Sequence, residues 1–219
     1  MSQRQAEAVS KPRRRTQAER SAETKQRLLD ATVDCLYELG YHRTTTYSVE
    51  QRAGVTRGAL LHHFASKSAL LMAAVEHMVD SAAGDLAADA AKAEGENLGE
   101  EVCDLLWRRF TSPIFFAFME IFMAARTDTV LRDTLAEAQE ALDTHCRTVA
   151  AQLLGTSVED ADFSMGLELC NHFLRGAASA DMLGDNSAGR DAVYREWKQL
   201  VAPYFTGSVK KRPKYASRG

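Results

Sequence analysis

The sequence predicts an all-α protein of about nine helices, with a small N-terminal domain followed by a larger C-terminal one. Alanine, which has the highest intrinsic helix propensity, is the commonest residue and fills 34 of the 219 positions. Only four prolines interrupt the chain. Runs in which β-branched and polar residues alternate, the pattern of a half-buried strand, are absent from the sequence. Together these features favour helices throughout.

Capping and helix-breaking residues set the approximate limits of the helices. Gly40 can adopt the left-handed conformation that ends the first helix, and Ser66 is a suitable N-cap for the fourth. Pro113 suits the first turn of the sixth helix. The helices are expected at residues 22–39, 48–53, 57–64, 67–92, 98–111, 113–126, 128–154, 158–183 and 189–205.

The net charge of −3 conceals a strong asymmetry along the chain. Residues 1–70 carry 12 basic and 7 acidic side chains, whereas residues 71–206 carry 10 basic and 23 acidic ones. The remaining C-terminal residues add five basic side chains and no acidic one. A positive N-terminal part suggests a polyanionic partner there. The expected divisions are a disordered basic arm at 1–21, a first domain at 22–72, a second at 73–206 and a flexible basic tail at 207–219.

The sequence does not support a membrane protein, a secreted protein or a metal-binding protein. No uncharged run approaches the roughly 20 apolar residues of a membrane-spanning helix. No basic stretch leads into an apolar segment near Met1, so we expect no secretory signal and a cytoplasmic location. The four cysteines form no CxxC pair, and we expect buried thiols in a reducing compartment, with neither disulfides nor a zinc site. No cofactor or metal is expected.

Residues 47–64 carry the most informative pattern in the sequence. They predict two helices of roughly two turns each, which are too short to persist unless they pack on a neighbour. Gly54 permits the tight turn between them, and Thr56 caps the second helix. The side chains expected to point inward are Val49, Val55, Leu60 and Phe64. A scaffold helix followed by a recognition helix of this kind is a helix-turn-helix, which reads the major groove of DNA.

The pattern extends at fixed spacing from the end of the first helix into the fourth. The residues are Thr44-Thr45-Thr46, Val49, Ala53-Gly54-Val55-Thr56, Gly58, Leu60-Leu61, His63-Phe64, Ser66-Lys67 and Leu70-Leu71. With these residues, over about 22–72, the chain resembles the TetR family of bacterial transcriptional regulators. Two positions depart from the family pattern: Glu50 replaces a small Ala, and Leu61 replaces a Tyr that commonly reaches DNA.

The resemblance implies a DNA-binding role for nine residues. These are Thr45, Thr46, Thr56, Arg57, Gly58, Leu61, His62, His63 and Lys67. Thr45, Thr46 and Lys67 are candidates for phosphate contacts, which position a protein on DNA without reading sequence. Arg57 is the candidate for a bidentate contact to guanine, although an Arg at a helix start is often only a solvated charge. Of His62 and His63, one is expected to face DNA and the other the packed side.

The resemblance also implies that the acidic second domain binds an effector and dimerises. The helix at 113–126 is apolar nearly all round, and flexible methionines beside aromatic rings suit a pocket for a hydrophobic ligand. The candidate pocket residues are Trp107, Phe110, Phe115, Phe118, Met119, Glu120, Phe122, Asn171, His172 and Arg175. The alternative is that the aromatic residues are simply core, and that Glu168 and His172 form an ordinary helix-surface pair.

Two apolar stripes in the last two helices suggest a dimer interface. Their members include Phe163, Leu167, Leu174, Val193, Trp197, Leu200 and Tyr204, at spacings of three and four residues. A two-fold mate could complete a four-helix bundle with them. A monomer could equally use both stripes as core.

The sequence therefore leads to a homodimeric, nucleoid-associated repressor that a small, largely hydrophobic effector releases from a palindromic operator in double-stranded DNA. An activator, or a regulator without an effector, would use the same DNA-binding module. An enzyme on a helical bundle is the third alternative. Against it, the sequence has no di-iron Glu-x-x-His pair, no HExxH, no Gly-rich phosphate loop and no GxSxG.

Overall fold

The computed structural model describes residues 16–93, 97–180 and 187–207. Over these ranges it contains nine α-helices and a short 3₁₀ turn, and no strand, which confirms the all-α class. The helices are α1 (Gln17–Arg43), α2 (Thr46–Ala53), α3 (Arg57–His63), α4 (Lys67–Ala90), α5 (Leu98–Phe110), α6 (Pro113–Ala125), α7 (Thr129–Leu154), α8 (Ala161–Ser179) and α9 (Ser187–Val201). The 3₁₀ turn, Ala202–Tyr204, follows α9 directly.

The first helix begins earlier than the sequence pattern suggested. The hydroxyl of Thr16 accepts a hydrogen bond from the Glu19 amide at 3.1 Å, and the Glu19 carboxylate accepts one from the Thr16 amide at 2.6 Å. This reciprocal capping box starts a helix at once. The expectation of a disordered arm was therefore wrong for residues 17–21, while residues 1–15 of that arm lie outside the described residues. Residues 208–219 of the expected basic tail also lie outside them.

The first domain has its own apolar core, in which α2 and α3 pack against α1 and the start of α4. The core residues are Leu28, Leu29, Ala31, Cys35, Val49, Ala53, Leu60, Phe64, Leu70 and Ala74. Full burial of one such leucine or valine side chain contributes about 1.5–3 kcal/mol. Because α2 and α3 have only eight and seven residues, this burial rather than helix propensity holds them in place.

The second domain is a helical bundle with a larger core between α5, α6, α7, α8 and α9. Its most completely buried members include Val102, Cys103, Phe110, Phe163, Cys170 and Leu174. A separate cluster joins the two domains, because Val33 and Leu36 of α1 pack with residues of α4, α6 and α7. The partners in this cluster are Leu71, Val75, Met78, Ala117, Ile121, Ala125, Leu131 and Leu135. The first domain is thus packed directly onto the second as well as being continuous with it through α4.

All four cysteines are buried and unpaired, as expected from the sequence. Burial raises the pKa of the Cys35, Cys146 and Cys170 thiols, so these side chains act as small apolar groups and not as nucleophiles. Within the described ranges, none of the helices is both long and apolar enough to cross a membrane.

Candidate DNA interface and effector cavity

The turn between α2 and α3 has the left-handed geometry that the sequence predicted. Gly54 lies at φ 62° and ψ 41°, and its amide donates to the carbonyl of Gln51. Arg27 of α1 donates to the carbonyl oxygens of Ala53 and, at 3.2 Å, Gly54, so a cation closes the C-terminal end of α2. A Cβ at Gly54 would lie only 3.2 Å from the Arg27 guanidinium. The turn is therefore fixed from both sides.

The recognition helix α3 has one anchored face and one exposed face. Leu60 and the following Phe64 are buried in the first-domain core, and the Thr56 hydroxyl caps the helix by accepting from the Ala59 amide at 3.2 Å. The side chains of Arg57 and Leu61 are exposed on the opposite face, Leu61 to 49%. Gly58 is also exposed, and its missing side chain lets another molecule approach the start of the helix closely.

The two histidines of α3 point to different environments. His62 is exposed, whereas His63 is half-buried beside Phe64, with ring centroids 6.3 Å apart. Burial lowers the pKa of His63, and the nearby charges of His62 and Lys25 lower it further. His62 is therefore the histidine available to a ligand of this face, and His63 belongs to the packing of α3.

The candidate phosphate contacts differ in how accessible they are. Thr45 is exposed at the N-cap of α2, where its hydroxyl accepts from the Ser48 amide at 3.1 Å, and Thr46 is half-buried beside it. Lys67 instead turns toward the end of α1: its Nζ donates to the Tyr41 carbonyl at 3.3 Å and lies 4.9 Å from the Tyr41 ring centroid. Burial lowers the pKa of Lys67. In this conformation Lys67 stabilises the domain and is not presented to a phosphate.

Sequence reasoning missed Tyr47, whose side chain is 68% exposed in the first turn of α2. A large aromatic side chain so exposed next to Thr45 is a further candidate for contact with a DNA backbone. The signal was available, because Tyr47 stands on the polar side of a short amphipathic helix. Glu50, the departure from the family pattern in the same helix, is buried and is accommodated without interrupting α2.

The second domain encloses a small cavity of about 30 Å³ between α4, α5, α6, α7 and α8. Four of the ten candidate pocket residues line it: Phe110, Phe115, Phe118 and Arg175. The other apolar lining comes from Met78, Val79, Ala82, Ile114 and Leu142, and the polar lining from Arg109, Ser112 and Gln139. An open groove of about 690 Å³ between α6 and α7, the α6–α7 groove, shares Gln139 with the cavity.

The remaining candidate pocket residues lie elsewhere. Trp107 stacks on Tyr194 with ring centroids 4.3 Å apart, and Met119 is buried in the second-domain core, so neither of them lines this cavity. Glu120 does not line the cavity either, and its carboxylate accepts a hydrogen bond from the Tyr41 amide of α1 at 2.8 Å. Phe122 lines the α6–α7 groove instead.

Asn171 and His172 lie on a second open groove, between α7 and α8. The His172 side chain is 83% exposed and lies 3.7 Å from the Glu168 carboxylate, which is the ordinary helix-surface pair that the sequence left open. Sequence reasoning missed Arg109, which lines the cavity. Its signal would have been a cation in the last turn of an amphipathic helix.

The residues of the expected dimer interface divide into core and surface. Phe163, Leu167 and Leu174 are at most 5% exposed within the second-domain core, which contradicts their assignment to an interface. Trp197 stacks on Phe173 with ring centroids 4.5 Å apart, and it and Tyr204 pack at the edge of that core. The apolar side chains that remain exposed on these two helices are Met165 and Leu169 of α8 and Val193 and Leu200 of α9.

The chain is similar in sequence to known DNA-binding proteins. A sequence profile described as "Bacterial regulatory proteins, tetR family" matches residues 28–74, which contain α2 and α3. The HTH-type transcriptional regulator CymR of Pseudomonas putida is 34% identical over 130 residues, which cover 59% of this chain and 64% of CymR. The HTH-type transcriptional regulator TtgR, from a strain of the same species, is 28% identical over 192 residues, which cover 85% of each chain.

The fold also recurs among solved structures. The transcriptional regulator FadR of Bacillus subtilis, in complex with stearoyl-CoA, superposes with a TM-score of 0.61 at 14% identity. The match covers 84% of this chain and 99% of FadR. These similar proteins are transcriptional regulators and not enzymes.

Proposed function

We propose that this chain is a helix-turn-helix transcriptional regulator of the TetR family, and that it acts as a dimeric repressor that a small, largely hydrophobic effector releases from a palindromic operator. In this proposal the chain regulates transcription and is not an enzyme. The observation that carries the proposal is the exposed face of α3 on a domain that shares a core cluster with the helical bundle behind it. Its proposed place of action is the nucleoid, in the cytoplasm.

On the DNA side, we place α3 in the major groove with its N-terminal end toward the bases. Arg57 would donate two hydrogen bonds to guanine, and the exposed Leu61 would meet a thymine methyl group in place of the family's Tyr. Thr45 and Tyr47, both exposed at the start of α2, would contact the phosphates of one strand. Lys67 would join them only if it left the Tyr41 carbonyl.

The exposed apolar face of α8 and α9 supports a dimer. Met165 and Leu169 lie one turn apart on α8, and Val193 and Leu200 lie two turns apart on α9. Leu200 is 75% exposed, and together with the other three side chains it would be covered by a partner surface. A second copy related by a two-fold axis would present the same apolar face, and the α8 and α9 helices of both copies would form a four-helix bundle.

The enclosed cavity supports an effector. It lies where five helices of the second domain meet, and three of its walls are aromatic rings. FadR, which has this fold, was solved with stearoyl-CoA, so a bundle of this type can bind a molecule that carries a long apolar chain. An effector that binds the DNA-incompetent conformation more tightly than the competent one would shift the protein away from its operator.

The proposal is tested by the affinity of the protein for duplexes from the region upstream of its own gene, measured by fluorescence anisotropy across a salt series. We expect one segment to bind more tightly than random DNA, with an affinity that falls steeply as salt rises. Arg57→Ala should cost about 1–3 kcal/mol on that segment and relax the preference at one base position.

The matched control is Lys92→Ala, which removes the same charge from a 75% exposed side chain just beyond the far end of α4. It should leave both affinity and preference unchanged. If Arg57→Ala binds specific and random DNA as the native protein does, the assignment of α3 to the DNA is incorrect. An activator would bind the same segment and raise transcription from it.

A further inference from the structure

Arg109 has a hydrogen-bonding group that the fold leaves unused. Within the described residues, the only buried side-chain nitrogen or oxygen without a hydrogen-bond partner is its Nη1. The other terminal nitrogen, Nη2, lies 3.8 Å from Oδ1 of Asp143, and the side chain is only 15% exposed. A buried guanidinium donor without an acceptor is unfavourable, so its persistence in a residue that lines a cavity points to a ligand.

Arg175 brings a second cation to the same cavity. Its guanidinium carbon lies 5.4 Å from the centroid of the Phe122 ring, and burial lowers its pKa. Asp143 attracts its charge and Arg109 repels it, so the three ionic groups interact with one another. Arg109, Arg175 and Asp143 together carry a net charge of +1 in a partly buried place. Such a place favours an anion, because the surroundings screen charge less than water does.

Two spaces of different size lie near the two arginines, the small cavity and the wide α6–α7 groove. The enclosed cavity of about 30 Å³ has room for a group of about the size of one or two waters. The α6–α7 groove is far larger, at about 690 Å³, and shares the lining residue Gln139 with the cavity. Phe122, on which Arg175 stacks, lines the groove together with Met123. The groove has the volume of an ordinary small-molecule site.

We propose that the effector is an organic carboxylate, with its carboxylate group held between Arg109 and Arg175 and its apolar body in the α6–α7 groove. This inference rests on the proposed function, in which the second domain binds an effector. A carboxylate carries one negative charge, which balances the net +1, and its planar shape matches the donors of a guanidinium. A phosphate monoester carries nearly two negative charges at neutral pH and would leave the site negative.

The test compares acids with their uncharged amides on the full-length native protein without DNA. Isothermal titration would use three matched pairs: naphthalene-2-carboxylate, 4-phenylbutanoate and octanoate, each beside its carboxamide. Within a pair the shape is nearly constant and the charge differs. We expect at least one acid to bind, and to bind at least about tenfold more tightly than its amide, because its hydrogen bonds to the guanidinium groups are charge-assisted.

Variants then assign the preference to the two arginines. Arg109→Met and Arg175→Met should each reduce the acid-to-amide ratio toward one. Arg108→Met is the matched control, because Arg108 neighbours Arg109 in sequence but pairs with Asp89 outside the cavity, at 3.2 Å. It should keep the native ratio. Should a methionine variant fail to fold, Arg109→Lys and Arg175→Lys keep the charge while removing the fork of donors, and should lower the ratio partway.

Three results would overturn the proposal: no acid binds, acid and amide bind equally, or Arg108→Met changes the ratio as much as Arg109→Met does. Failure of the proposed function is seen separately, in the operator assay. If an uncharged amide binds the protein and releases it from the operator, the proposed repressor function is supported and the proposed carboxylate site is wrong. If the protein does not bind DNA but binds acids more tightly than their amides, the proposed repressor function is wrong and the proposed carboxylate site is supported.

Discussion

At the scale of single residues, Gly40 has a backbone conformation that other residues avoid. It lies at φ 79° and ψ 169°, where α1 kinks before its last turn. The Tyr41 amide that follows donates to the Glu120 carboxylate at 2.8 Å, and a Cβ on Gly40 would lie 3.1 Å from the same carboxylate oxygen. The sequence indicated a break at Gly40, but the partner across the break came from a helix 80 positions away and could not be read from local spacing.

We therefore predict that Gly40→Ala lowers the free energy of unfolding by about 1–3 kcal/mol, since this backbone region strains any residue with a Cβ. Gly84→Ala is the matched control, because Gly84 lies inside α4 and its Cβ would meet nothing within 4 Å. That change should stabilise the protein by about 0.5–1 kcal/mol, since alanine loses less entropy in a helix. Chemical denaturation measures both. Equal changes of the same sign would refute the role given to Gly40.

Two charged residues of the second domain, Glu120 and Arg109, differ both in their sequence signal and in their structural surroundings. Glu120 stood out as the acid of a nearly all-apolar helix, and it bonds to a backbone amide of another domain. Arg109 was not among the residues predicted for the pocket, yet it lines the cavity and has a donor without an acceptor. Burial of a charge can be anticipated from its neighbours in sequence, but its partner depends on how distant helices pack.

At the scale of elements, the local patterns were the ones that the sequence made predictable. The turn of α2 and α3 depends on Gly54, Thr56 and a few inward side chains within 20 residues, and it formed as expected. The stripe of Phe163, Leu167 and Leu174 on α8 was correctly recognised as apolar, but it packs inside its own chain. Periodicity identifies an apolar face and leaves open which surface covers it. Met165 and Leu169 form a second, less buried face of the same helix.

The helix α6 is the element best placed to link effector and DNA. Its side chains Phe115 and Phe118 line the cavity, and Glu120 holds the kink of α1 in the first domain. A ligand that displaces the two rings would also shift this carboxylate. Coupling between two sites needs such an element with different positions in the two states, and typically amounts to about 1–3 kcal/mol.

Accordingly, Glu120→Gln should weaken the communication between the two sites. The amide keeps the size of the side chain but replaces a charge-assisted hydrogen bond by a neutral one of about half the strength. Operator affinity would be measured with and without a bound carboxylate from the titration series. We expect the ratio of the two affinities to fall by at least about threefold, while the ligand still binds the free protein, because Glu120 lies outside the cavity.

Glu137→Gln, an equivalent change on the exposed side of α7, is the control and should keep the native ratio. If Glu120→Gln keeps the native ratio of operator affinities, the coupling between ligand binding and DNA binding does not depend on Glu120 and would have to run through α4. A loss of ligand binding by the same variant would mean that Glu120 belongs to the effector site after all.

At the scale of the whole molecule, charge and packing separate the two tasks of the chain. The N-terminal part carries the excess of basic groups, and the bundle behind it is strongly acidic. A strongly acidic bundle disfavours non-specific contact with DNA through its own surface. The apolar cluster shared by α1, α4, α6 and α7 packs the two parts directly against each other. The charge division was visible in the sequence, whereas this shared core was not, because it joins residues more than 100 positions apart.

The central claim is that two copies of this chain read a symmetric DNA site with two copies of α3. Selection of bound duplexes from a random library, followed by the molar mass of the complex from light scattering, tests it most directly. We predict an enriched inverted repeat with half-sites about 34–36 Å apart, bound by two copies of the chain. An enriched site without internal symmetry that is bound by a single copy, or no enriched sequence at all, would contradict it.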